Sequence, residues 1–471
     1  MSTTTIIKSI RDIMRKDTGV DGDAQRISQI VWMLFMKIFS DKEEEWRSKI
    51  KDYSSPIPEE FRWKKWAIDQ TLTGEELIEF INSKLFPALK SLDRTGNDQS
   101  KIVKSVFEDT YNFMKNGTLF RQVINEINKI DFANTTDTHV FNDIYESILK
   151  ELQSAGSSGE YYTPRAITQF MVEMVNPKEG ESILDPACGT GGFLTCSIDH
   201  VRKFHDKEEN IILQENIRGI EKKPLPHLLC TTNLMLHGFN IPSINRDNLL
   251  SKPYDSWKGD KLVDIILSNP PFGGTEEDGT ETNFPQEFRT KETADLFLIL
   301  IVKLLKKNGR AAVVLPDGFL FGEGVRTRIK EELLAKCNLH TIIRLPNGVF
   351  NPYTSIKTNL LFFDKGMPTK EIWYFEHPYP DGHKSYTKSR PINLEEFDLE
   401  KNWWHNRQEN DYAWKVSIKD IKKRNYNLDI SSPYFGETDE EQLSREEILQ
   451  QLNESFELSK QLLSQLDQIF K

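Results

Sequence analysis

Residues 262–274 read Leu262-Val263-Asp264-Ile265-Ile266-Leu267-Ser268-Asn269-Pro270-Pro271-Phe272-Gly273-Gly274. The apolar run 262–267, bracketed by polar residues, predicts a short buried strand. Two prolines after Asn269 cannot continue a sheet, because each lacks an N–H, fixes its own φ and restrains the residue before it. The chain must leave the sheet there in a rigid, extended turn. That places an amide (Asn269), a free carbonyl (Pro270), a stiffening ring (Pro271) and an aromatic face (Phe272) at a strand's C-terminal edge. In open α/β sheets ligands bind at that edge. The group suits a planar ring bearing an amine. The amide oxygen and the Pro270 carbonyl can accept from an NH2 group, leaving its lone pair more available, while Phe272 stacks on the ring.

Upstream, 182–194 reads as a strand ending in Asp185, a glycine-rich turn (Gly189, Thr190, Gly191, Gly192) and a helix from Phe193. Glycines let a cofactor approach the backbone closely. Neither a phosphate-loop Gly-Lys-Ser/Thr nor a Gly-x-Gly-x-x-Gly pattern is present. A carboxylate before the turn repels pyrophosphate but pairs with an ammonium, so a nucleoside carrying an amino acid fits better. The next strand, 216–221, ends in Glu221, placed to accept from ribose hydroxyls. Two roles are open for Asp247 in 245–249: acceptor for an adenine amino group, or turn residue. Before the glycine turn, Glu160-Tyr161-Tyr162-Thr163-Pro164-Arg165 leads into an amphipathic helix, with Thr163 expected as N-cap and Pro164 at its first position. Free N–H groups there favour an anion such as a carboxylate.

Strands and helices continue to alternate beyond Asn269: helix 294–306, strand 311–315, helix 325–337, and strands 341–344, 358–363 and 372–375. Such alternation predicts a mostly parallel twisted sheet with helices on both faces. Residues 273–291 are polar and predict a mobile loop over the site. Residues 1–153 carry helix-spaced apolar positions (Ile27, Ile30, Val31, Leu34, Ile38) and amphipathic segments at 77–89 and 138–152, which predict an all-helical N-terminal domain. A small-residue linker, 154–159, opens the α/β domain, expected over 154–385. Residues 386–436 read as an irregular extension. The stripe Leu449, Leu452, Phe456, Leu463, Leu466, Phe470 predicts a helical tail over 437–471 that docks on a partner.

The net charge of −11 is unusual for a freestanding DNA binder, so a basic surface must be local or supplied by a partner. Cys188, Cys196, Cys230 and Cys337 show no Cys-x-x-Cys spacing, which fits a reducing cytoplasm. No apolar run is long enough to span a bilayer. Histidines and cysteines at metal-ligand spacing are lacking, so no metal is expected.

With these motifs together, the sequence resembles the amino-methylating DNA adenine methyltransferases, and more narrowly the modification subunits of Type I restriction–modification systems. The resemblance rests on 159–165, 185–194, 268–273, 309–318 and 357–363, and spans roughly 11–364. It implies a Rossmann-like methyltransferase domain between the helical regions and S-adenosylmethionine as cofactor. It places Glu160 to Arg165 at the cofactor's methionine end, Asp185 and Gly189 to Gly192 around it, Glu221 on its ribose, and Asn269 to Phe272 around the target adenine. It also implies two modification subunits per specificity subunit, a restriction subunit in the full complex, and double-stranded DNA as substrate. A protein-glutamine methyltransferase shares Asn-Pro-Pro, but 160–165 and the helical flank argue against it. A catalytically silent scaffold would have no use for the amine acceptors.

Overall fold

The structure, a computed structural model, describes residues 3–93, 97–132, 162–203, 210–351, 353–380, 382, 385–387, 389–434 and 460. The linker 154–159, the amphipathic segment 138–152, Glu160 and Tyr161 lie outside the described residues, as does the tail stripe.

Nine strands form one sheet: β1 (Ile183–Asp185), β2 (Ile217–Glu221), β3 (Ser243–Arg246), β4 (Val263–Ser268), β5 (Leu305–Pro316), β6 (Cys337–Arg344), β7 (Thr358–Lys365), β8 (Glu371–Glu376) and β9 (Ala413–Ser417). Their order is β3-β2-β1-β4-β5-β7-β6-β8-β9. Helices Gly192–Arg202, Pro224–Leu236, Thr293–Leu304 and Val325–Lys336 provide crossovers, and β3, β2, β1, β4 and β5 run parallel. Among the described residues no helix separates β6 from β7, and β7 turns back and inserts antiparallel between β5 and β6. The central strands are apolar on both faces, as helix-covered strands must be. Ile265, Ile266 and Leu267 of β4 are fully buried, as are Ala312, Val313 and Val314 of β5.

Residues 386–436 are not the irregular extension that their composition predicts. Within them a capped turn, Leu394–Phe397, leads to helix Asp398–Trp404, and β9 then pairs antiparallel with β8. Aromatic burial drives this docking. Phe397 stacks on Phe170 at 4.3 Å and Trp414 on Tyr374 at 5.4 Å. The sheet therefore continues past position 385.

The N-terminal helices pack around Trp32, whose ring meets Phe86, Phe107 and Phe120 edge-on at 5.1, 6.2 and 6.0 Å. Helix Pro224–Leu236 serves two cores. Leu228, Leu229 and Met235 join the N-terminal cluster, while Cys230 and Leu234 face the sheet. The helical region is thereby seated on the α/β unit. Among the described residues no helix is long and apolar enough to cross a membrane.

Candidate active site

Chain order reverses between β1 and β4, which are neighbours reached from opposite directions. A crevice opens at such a switch point beyond the strand ends. Asp185 ends β1 and Ser268 ends β4, and the serine hydroxyl donates to the Asp185 carboxylate at 2.9 Å. The Ala187 amide donates to the same oxygen at 3.1 Å. Burial dominates these bonds and pushes the Asp185 carboxyl up to about 7, with Glu221 adding to the effect. Glu221, at the end of β2, accepts from the amides of Gly189 (3.0 Å) and Lys223 (2.6 Å), and its carboxyl too is raised by burial. The glycine-rich turn is thus tied to the neighbouring strand through a carboxylate. Gly191 closes that turn at φ +84°, where a Cβ would lie 2.7 Å from Cys230 Sγ.

Beyond β4, Asn269 Nδ2 donates to Thr163 Oγ1 at 2.9 Å. This corrects the capping role expected of Thr163. The helix starts at Arg165 with Pro164 in the cap position, and no side chain caps it. Thr163 instead fixes the Asn269 amide, leaving Asn269 Oδ1 buried with no partner among the described residues. The Arg165 guanidinium reaches Thr195 Oγ1 (3.0 Å) and Asp199 (3.4 Å). Phe272 meets Phe350 edge-on at 6.0 Å.

A cavity of about 280 Å³ joins these features. Tyr162, Thr163, Arg165, Asp185, Gly189, Thr190, Gly192, Glu221, Asn269 and Pro271 line it. Pro270, Phe272, Gly191 and Asp247 are not among the lining residues. Asp247 is exposed, pairs with Lys252 at 2.9 Å, and its amide donates to the Glu221 carbonyl at 3.1 Å, so of its two open roles the geometry is that of a turn residue.

Lining residues not anticipated from sequence include Lys222, Thr275, Glu276 and Thr293. They belong to or meet the segment after Gly273, which is not the free loop its polarity predicts. Phe284 and Phe288 anchor it in the core, and Thr275 bridges to Glu292. Glu276 accepts from Asn248 (3.1 Å), Lys222 (3.3 Å) and Thr293 (3.3 Å), which straps the segment beside Glu221. The two phenylalanines in an otherwise polar stretch were the available signal.

Chemically, the cavity offers a carboxylate poised to meet an ammonium, a second carboxylate with lone pairs left for hydroxyls, and an amide oxygen lacking a donor. That set fits a charged amino-acid nucleoside beside an amine-bearing ring.

Residues 136–442 match the N-6 DNA Methylase family, and residues 3–127 match the HsdM N-terminal domain. The chain is 59% identical over 451 residues to the Type I restriction enzyme EcoEI methylase subunit of Escherichia coli, covering 93% of this chain and 92% of that protein. A crystal structure described as a modification subunit of a type I restriction enzyme from Vibrio vulnificus YJ016 superposes with a TM-score of 0.82 at 44% identity, covering 92% of this chain and 96% of that one. A chain from a structural study of type I R-M complex assembly gives 0.83 at 34% identity, covering 98% and 97%.

Proposed function

This chain belongs to the N-6 DNA Methylase family as a modification subunit of the Type I kind, and we propose that it methylates the exocyclic N6 amine of a flipped adenine with S-adenosylmethionine as donor. The observation that carries the reading is the buried Asn269 Oδ1 at the switch point, without a partner among the described residues. A buried acceptor without a donor is costly, and an amine hydrogen from the substrate removes the cost. With Thr163 holding the amide, Asn269 Oδ1 and the Pro270 carbonyl accept the two amine hydrogens. The nitrogen lone pair is then less committed to the ring and available for in-line displacement. When bound, S-adenosylmethionine would supply an electrophilic methyl on a sulfonium with a neutral thioether as leaving group, and the methylated amine would give up one proton. Asp185 would meet its ammonium and Glu221 its ribose hydroxyls, while Tyr162, Thr163 and Arg165 would attend its carboxylate.

The chain's work is alignment and charge placement rather than covalent catalysis. Extruding the base costs on the order of a few kcal/mol. A specificity subunit, shared by two modification subunits, reads the sequence and supplies basic surface to complement this acidic chain. A restriction subunit completes the assembly.

Tritiated methyl transfer to unmethylated duplex DNA tests this, using the chain alone and the chain with its specificity subunit. Label should appear as N6-methyladenine only in the mixture, and Asn269→Ala should cut it by about 100-fold or more. Cofactor binding without transfer to DNA in the mixture would overturn the reading.

A further inference from the structure

A second unpartnered polar atom lies close to this site. Tyr353 Oη is buried and has no hydrogen-bond partner among the described residues. Its position follows from the turn after β6. The Tyr353 and Thr354 amides donate to the Phe350 carbonyl at 2.9 and 3.3 Å, a turn that brings Tyr353 back towards Phe350. Phe350 meets Phe272 of the Asn-Pro-Pro-Phe step. Tyr353 also lies near Tyr162, a wall of the cavity, and burial there followed by that neighbour keeps its phenol protonated. The turn is held from several sides. The Leu345 amide donates to the Thr358 carbonyl (3.0 Å), Asn351 Nδ2 to the Tyr386 carbonyl (2.9 Å), and Tyr379 Oη to the Asn347 carbonyl (3.0 Å). A donor on a turn held this firmly, near a wall of the cavity and lacking an acceptor among the described residues, suits a ligand atom.

We infer that the Tyr353 hydroxyl donates a hydrogen bond to a ring nitrogen of the flipped adenine and so fixes the base's rotation in its pocket. The inference rests on Asn269 as acceptor of the amine. The two contacts are complementary: Asn269 takes hydrogens from the amine, and Tyr353 gives one to the ring. Adenine's N1, N3 and N7 are all acceptors, whereas guanine and thymine carry an N–H on the ring beside their exocyclic oxygen. Against N1 a donor favours adenine over a keto base; against N3 or N7, which guanine also presents as acceptors, it sets the base's rotation. It makes Tyr353 a specificity-determining residue for the reaction.

The test uses the complex with the specificity subunit, Tyr353→Phe, and duplexes whose target adenine is replaced by 1-deaza-, 3-deaza- or 7-deazaadenine. Phenylalanine keeps the ring and its packing and removes only the hydroxyl. On natural DNA the variant should lose about tenfold in kcat/KM, the size expected of one neutral hydrogen bond. With one of the three analogues, wild type should fall by a similar factor while the variant falls no further beyond the change in base pairing, which is common to both enzymes. S-adenosylmethionine affinity, measured by calorimetry, should be unchanged. Equal activity of variant and wild type on natural DNA would overturn the inference. So would losses that multiply for all three analogues, or a loss explained by weaker cofactor binding. Absence of transfer by the wild-type complex would instead bring down the function itself, a separate result.

Discussion

Burial holds the Asp185 carboxyl up at about 7, so near neutrality the empty site is a mixture of protonated and ionised forms. A cationic ammonium binds the ionised form. Cofactor affinity should therefore rise from pH 6 to pH 8, with proton release seen as a dependence of calorimetric heat on buffer ionisation enthalpy. Asp185→Asn should bind weakly and show a flat profile; a flat profile in wild type would sink the assignment. The stability effect runs the other way. Between 3.8 and about 7 the folded state holds a proton that the unfolded state has lost, so this group's contribution declines as pH rises through that window. Asp185→Asn should raise the melting temperature of the cofactor-free protein most above pH 7, and the gain should vanish below pH 4. At this scale the sequence was readable where covalent chemistry limits the options. Asn269 before two prolines, and Asp185 before three closely spaced glycines, had few other reasons to be there. Thr163 and Asp247 were not readable, because the direction a polar side chain takes depends on a neighbour 106 residues away for one and on a local lysine for the other.

The glycine-rich turn and helix Pro224–Leu236 fit each other at one point, Gly191 against Cys230. Alanine at 191 faces two separate costs: a left-handed φ of +84°, and a Cβ 2.7 Å from Cys230 Sγ. The first is on the order of 1–2 kcal/mol. The second is steric and is relieved by shrinking the partner. Gly191→Ala should thus lower the melting temperature and weaken cofactor binding, and adding Cys230→Ala should restore part of the stability but not all. Full rescue would remove backbone strain from the account, and no rescue would remove the contact. The elements carrying this site were legible as strand, turn and helix because a crossover between parallel strands needs a dozen or more residues, most often a helix. The reversal of β7 was not legible, because strand–helix alternation alone does not give a strand's direction. β9 was hidden because its strand is short and lies among charged and aromatic residues, where period-two alternation is weak.

Across the whole chain, a net charge of −11 sets the terms of DNA binding. Phosphate neutralisation by lysine and arginine supplies most non-specific affinity, and each ion-paired phosphate makes binding steeper in salt. Acid groups within the molecule already occupy several of its cations near the site: Lys222 with Glu276, Lys252 with Asp247, Arg326 with Asp295. The lone chain should therefore bind S-adenosylmethionine but not hold duplex DNA at physiological ionic strength. Fluorescence anisotropy with a labelled duplex would read this directly, across roughly 50 to 200 mM salt. With the specificity subunit added, binding should appear and weaken steeply with salt, and the slope should be carried by the added subunit. Tight, salt-dependent binding by the chain alone would show that its own cations form a continuous basic track despite these pairings. In that case base extrusion would not have to wait for assembly. The expected result has the opposite consequence: the methylating pocket meets DNA only where the specificity subunit has placed it, so an acidic surface restrains transfer at unselected adenines.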